Sequence, residues 1–134
     1  MNKINILNTS IHNLSMQETL QYVDSTIDKG EQLHHVVVNA GKIVAMQNDL
    51  QLRQSVNECD IINADGQAVV WASKILGKPL KGRVAGIDLM ENLVELAHQK
   101  KYKIFFFGAK EEVVKKVVEN YSKKYSPAIV AGYR

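Results

Sequence analysis

Cysteine and proline are nearly absent. Cys59 is the only thiol in 134 residues, so no intrachain disulfide can form, and no Cys/His cluster has the spacing of a structural zinc site. Two prolines and eight glycines exclude a collagen-like chain or a Pro/Gly-rich linker. No stretch approaches the roughly 18 apolar residues of a spanning helix, and residues 1–10 lack the apolar centre of a secretory signal. Net charge is only +3, from 17 Lys and Arg against 14 Asp and Glu, too small a surplus to mark a nucleic-acid binder. These absences predict a cytoplasmic protein with neither an export signal nor a nucleic-acid partner.

What is present is globular material. Hydrophobic residues make up 46% and charged residues 23%, enough for one domain over residues 1–134 with a core. Residues 4–14 alternate apolar and polar positions around Asn8, Thr9 and Ser10, predicting a short strand pair. Ser15 and Glu18 form a capping box, after which Met16, Leu20, Val23 and Ile27 recur at helical spacing until Gly30. The Val-rich run 35–39 predicts a strand covered on both faces, followed by a helix near 41–47 and a shorter one after Asp49. Residues 60–63 predict a second buried strand, which turns at Ala64-Asp65-Gly66 into a helix bearing Val69, Ala72 and Ile75 and closed by Gly77. Asp88 with Glu91 repeats the capping pattern ahead of Leu89, Leu93 and Leu96, predicting a helix to about Lys100. The most apolar strand spans 104–107, a helix carries Val113 to Tyr121, and a last strand covers 128–131 after Pro127.

This alternation predicts the α/β class: a Rossmann-like sandwich with a mainly parallel sheet and a small N-terminal strand pair. Ligands in such sheets bind outside the carboxyl ends of the strands. The turns 39–41, 64–66 and 108–110 are therefore expected on one edge, each leading to a helix N-terminus that favours an anionic or polar ligand. Asp65 is a carboxylate able to take a proton from a substrate hydroxyl, and equally a preferred N-cap. Asn39 offers a donor and an acceptor, or caps a helix. Arg83, flanked by glycines, suits a phosphate or carboxylate, or solvent. Asp88 reads first as an N-cap, and Gly108 as a close approach of backbone N–H groups to phosphate, short of any dinucleotide or P-loop motif. His12, His34, His35 and His98 are scattered without a metal-hydrolase pair, Cys59 reads as a buried inert thiol, and Trp71 as core or interface. The lysines after residue 99 read as a solvated face, with weak attraction to anionic lipid headgroups as the alternative.

The segments Val38-Asn39-Ala40, Ile62-Asn63-Ala64-Asp65-Gly66, Arg83-Val84-Ala85-Gly86-Ile87-Asp88-Leu89 and Phe106-Phe107-Gly108-Ala109, in this order, closely resemble the WecG/TagA/CpsF glycosyltransferase family. The likeness runs from Ile4 to Gly132-Tyr133. It implies an inverting transferase, without metal or other cofactor, that moves N-acetylmannosamine or a related sugar from its UDP conjugate to N-acetylglucosamine on undecaprenyl diphosphate, in wall teichoic acid synthesis. It implies Asp65 as general base, with Asn39, Gln67, Arg83 and Asp88 lining the pocket. It also implies a C-terminal portion beyond Arg134 that supplies contact with the inner face of the membrane. Val37 stands where members often carry threonine, which removes a hydroxyl near the sugar. A homo-oligomer would cover apolar surface at a sheet edge. Two other readings compete. One is a non-catalytic nucleotide- or sugar-binding module. The other is a receiver-like domain phosphorylated at Asp65, which would want a carboxylate cluster for Mg²⁺ and a strand-end lysine where Asn39 and Gly108 stand.

Overall fold

In the computed structural model, which describes residues 2–134, the chain opens with a tight turn. Leu7 and Asn8 both adopt positive φ, 45° and 63°, the left-handed pair of a two-residue hairpin. That turn folds β1 (Lys3–Ile6) antiparallel onto β2 (Thr9–His12). Helix α1 (Met16–Asp28) starts at the capping box read from the sequence: Glu18 N–H donates to Ser15 Oγ at 3.1 Å and Ser15 N–H to Glu18 Oε1 at 3.1 Å. Lys81 Nζ also meets Glu18 at 2.8 Å. Lys81 first, and then the Ser15 bonds, hold the Glu18 carboxyl below its usual range.

Strand β3 (His35–Val38) pairs in parallel with β4 (Ile61–Ala64), His35 facing Ile61 and Val38 facing Ala64. The connection between parallel partners requires a crossover, supplied by α2 (Ala40–Asn48) and α3 (Leu50–Asn57). The second helix starts after Asp49 as expected, and Asp49 ends one helix and caps the next, accepting from Leu52 N–H at 3.0 Å. After β4 come α4 (Gln67–Ile75) and α5 (Gly86–Lys100). The core gathers Ile6 and Ile11 from the hairpin, Val38 and Ile62 from the parallel pair, and Met46 and Val69 from helices, each contributing about 1.5–3 kcal/mol by burial.

The chain forms two compact units, one ending at Leu89 and the other covering Met90–Arg134, so the division falls within α5. In the second unit β5 (Ile104–Phe106) pairs in parallel with β6 (Val130–Tyr133) across α6 (Glu111–Lys124) and a 3-10 turn at Pro127–Ile129. Phe106 stacks on Tyr121, whose hydroxyl donates to Glu91 Oε1 at 2.9 Å. Burial first, then the Glu91 carboxylate, pushes the Tyr121 phenol up to about 12. The α/β class with parallel pairs and an N-terminal antiparallel pair is thus present.

Several local expectations need correction. The strand predicted over 104–107 ends at Phe106, and Phe107 is 81% exposed with Phe105 also exposed. A three-residue strand with one neighbour covers only the face turned to α6, so alternate side chains point outward. Trp71 is not in the core: it is 59% exposed on α4. Cys59 is only half-buried, its Sγ donating to Ser55 O at 3.4 Å. Asp88 does not cap α5, which begins at Gly86 and carries Asp88 within its first turn. There it complements the helix dipole instead. Among the described residues no helix is long and apolar enough to cross a membrane.

One buried ring closes the free edge of β4. His12 is 3% exposed and its Nδ1 accepts the Ile62 N–H at 2.9 Å. Burial first, then the charge of Lys3, holds the His12 pKa below 6.5. His35 shifts the same way, through burial. Between the lowered folded value and the ordinary one the unfolded chain binds more protons, so stability rises with pH there. The expected result is full stability above about pH 6.5 and progressive loss below it. His12→Asn keeps an acceptor near the Nδ1 position but does not titrate. Thermal melts from pH 7.5 to 5.5 should therefore fall less steeply for this variant; an unchanged slope would remove His12 from the account.

Candidate active site

The carboxyl ends of β3 and β4 lie side by side, so the residues that follow them, Asn39 and Asp65, emerge on the same edge. Asp65 N–H donates to Val38 O at 2.8 Å, which carries the ladder one step past the strands. Gly66 then takes φ of 127°, a conformation that disfavours any side chain, and caps α4 without a side-chain bond. Asp65 is therefore not the cap of its own helix, contrary to the simpler of its sequence readings.

Its carboxylate turns to the connector instead. Val84 N–H donates to Ala64 O at 2.7 Å, and Val84 and Ala85 are buried, which seats residues 83–86 against the end of β4. Gly86 N–H, the first amide of α5, donates to Asp65 Oδ2 at 3.1 Å. Arg83 Nη2 lies 3.9 Å from Asp65 Oδ1, too long for a hydrogen bond but close enough for charge attraction. The side chains of Arg83 and Asp65 are 53% and 31% exposed, so each keeps a face for a ligand. Space at Gly86 is tight: a Cβ there would sit 3.2 Å from Val37 Cγ2 and 3.5 Å from Asp65 Oδ2.

Asn39 caps α2, its Oδ1 accepting Lys42 N–H at 2.8 Å. Its amide nitrogen is the half left for recognition, and its Cβ lies 3.8 Å from where a Gly66 Cβ would stand. Gln67 opens α4 and is exposed beside Asp65 in sequence. The structure thus brings together Asn39, Asp65, Arg83 and the start of α4 around one strand edge. Asp88 belongs to the first turn of the helix whose leading amide Asp65 holds. Gly108 lies in the second unit, after β5, with φ of 120°. Its N–H is already given to Arg134 O at 3.1 Å, so that amide is not aimed at a phosphate as the sequence suggested.

One residue at this edge escaped the sequence reading. Lys42, in the first turn of α2, folds back so that Nζ donates to Val37 O at 3.0 Å. The available signal was a cation three positions after an N-cap asparagine, in the first helical turn, where the dipole disfavours positive charge. Beneath the edge, Asn63 is fully buried and links elements: its Oδ1 meets His35 Nε2 at 2.6 Å and its Nδ2 donates to Thr19 Oγ1 at 3.2 Å. Among the described residues no group of three or more His, Cys, Asp or Glu is placed to hold a metal ion.

A carboxylate and a guanidinium at the open ends of two parallel strands, with uncapped helix amides beside them, can accept a proton and bind an anion. Three bacterial proteins named N-acetylglucosaminyldiphosphoundecaprenol N-acetyl-beta-D-mannosaminyltransferase are similar to this chain. The one from Bacillus spizizenii W23 is 39% identical over 89 residues, 66% of this chain and 34% of its own length. That from Bacillus subtilis 168 is 30% identical over 133 residues, 92% of this chain and 51% of its own. That from Staphylococcus aureus NCTC 8325 is 32% identical over 114 residues, covering 84% and 45%. The chain thus spans about half or less of the length of these curated relatives. The family description "Glycosyl transferase WecG/TagA/CpsF family" matches residues 4–134, and the chain belongs to that family.

Proposed function

We propose that this chain carries the acceptor-activating part of an inverting glycosyltransferase that moves N-acetylmannosamine, or a related sugar, from a UDP-sugar to N-acetylglucosamine on undecaprenyl diphosphate. The observation that carries the reading is the half-exposed Asp65 carboxylate at the β4 end, held by Gly86 N–H with Arg83 alongside. The family membership and the names of the relatives supply the substrate class.

In the proposed step the acceptor hydroxyl oxygen attacks the anomeric carbon as Asp65 takes its proton, and the bond to the diphosphate breaks on the opposite face. One base suffices for a single displacement with inversion. The Gly86 N–H and Arg83 orient the carboxylate so that its basic lone pair is not lost to rotation. Asn39 and Gln67 contribute amide donors and acceptors to sugar hydroxyls, and Asp88 lies next along α5. The departing UDP gains negative charge that Arg83 and the first-turn amides of α4 stabilise. No metal or other cofactor takes part in this scheme. The acceptor is carried by a lipid, so we place the reaction at the inner face of the membrane, with a homo-oligomer as the working assembly.

Isothermal calorimetry of the chain with UDP and with UDP-N-acetylmannosamine tests the donor half of the reading. Saturable heat with both is expected, with tighter binding of the sugar nucleotide because it reaches Asn39 and Gln67. No heat with either ligand would overturn the assignment of a donor site to these residues.

A further inference from the structure

Lys42 is the one cation of the site edge whose place is electrostatically uphill. It follows the N-cap Asn39 by three positions, so its charge lies at the positive end of α2. A lysine so placed gains most by extending into water. Here the side chain folds back and its Nζ takes the Val37 carbonyl at 3.0 Å, at the end of β3. Val37 borders the site: a Cβ added at Gly86 would lie 3.2 Å from Val37 Cγ2 and 3.5 Å from Asp65 Oδ2. The ammonium is thus held on the backbone of Val37, whose side chain neighbours Gly86, the residue that donates to Asp65 Oδ2. A neutral carbonyl is a weak partner for an ammonium, whereas an anion at the α2 N-terminus would satisfy both the dipole and the charge.

We propose that Lys42 is a substrate-binding residue: its ammonium leaves the Val37 carbonyl to pair with the diphosphate of the sugar donor, and holds the charge that UDP carries as it departs. This rests on the transferase reading above and adds to it a residue that Arg83 and the helix amides alone do not replace. The pairing makes and breaks no covalent bond and moves no proton; Lys42 stays an ammonium throughout. Because the pair is purely ionic at a solvent-facing edge, it is screened by salt.

The test is calorimetric titration of the whole chain with UDP and with uridine, at two salt concentrations. Lys42→Gln keeps a donor for Val37 O without the charge, and Lys42→Arg keeps the charge. Lys42→Gln is expected to weaken UDP binding by about tenfold or more at low salt, with a shallower salt dependence and no change in uridine affinity. Lys42→Arg should restore most of the UDP affinity. Equal UDP affinity in wild type and Lys42→Gln would overturn the role of Lys42 alone. An equal loss for UDP and uridine would mark Lys42 as a mere prop of β3 and overturn it as well. Absence of UDP binding by the wild-type chain would overturn the transferase reading together with this inference.

Discussion

Asp65→Asn is expected to lower sugar transfer by about 10²–10⁴-fold, the usual contribution of a positioned general base. The substitution separates chemistry from architecture. An asparagine Oδ1 can still accept the Gly86 N–H that Asp65 Oδ2 accepts at 3.1 Å, so the start of α5 keeps its partner. The Arg83 contact at 3.9 Å is half-exposed, and its loss should change stability by no more than about 1 kcal/mol. What asparagine lacks is a site for the acceptor's proton. Initial rates with a UDP-sugar and a lipid-linked N-acetylglucosamine, together with a thermal melt, check both halves. Unchanged transfer would reduce Asp65 to a fastener between β4 and α5, and would favour the binding-module reading.

The largest loss of stability is expected at Asn63. Its side chain is fully buried and joins β4 to β3 through His35 and to α1 through Thr19, which in turn donates to Ser15 O at 2.9 Å. Asn63→Leu fills a similar volume but leaves the His35 Nε2 and Thr19 Oγ1 groups short of a partner. Stranding buried polar groups costs about 1–3 kcal/mol each, so a total of about 2–4 kcal/mol is expected. Urea titration should show a lower midpoint with an unchanged slope. Because Asn63 lies in β4 two residues before Asp65, which follows that strand, transfer should also fall more than the loss of folded protein accounts for. A midpoint within error of wild type would show that the chain from His35 to Ser15 carries no stability.

Much of the local structure was legible because its causes are local. The Ser15–Glu18 box and the asparagine after β3 each act within a few residues of themselves, and side-chain spacing announces them. The apolar runs of β3 and β4 read correctly as strands, but only β4 is buried throughout; β3 is half-buried from His35 to Val37 and buried only at Val38. Residue identity at the two strand ends, together with the resemblance of four ordered segments to one family, singled out Asn39, Asp65 and Arg83 before any geometry was known.

Other features depend on what arrives from far along the chain. That Asp65 serves α5 rather than α4 follows from where residues 83–86 settle, some twenty positions later. The same docking strips Asp88 of its cap role, since α5 starts before it. The unbroken apolar run 104–107 gave no hint that Phe107 would face outward, because exposure depends on how many neighbours a strand acquires. Lys42 looked like an ordinary helix lysine until its side chain was found folded onto the end of β3. Periodicity and capping are short-range physics and are written in neighbouring letters; the partners of a carboxylate, a cation or a strand edge are long-range, and only the packed chain decides them.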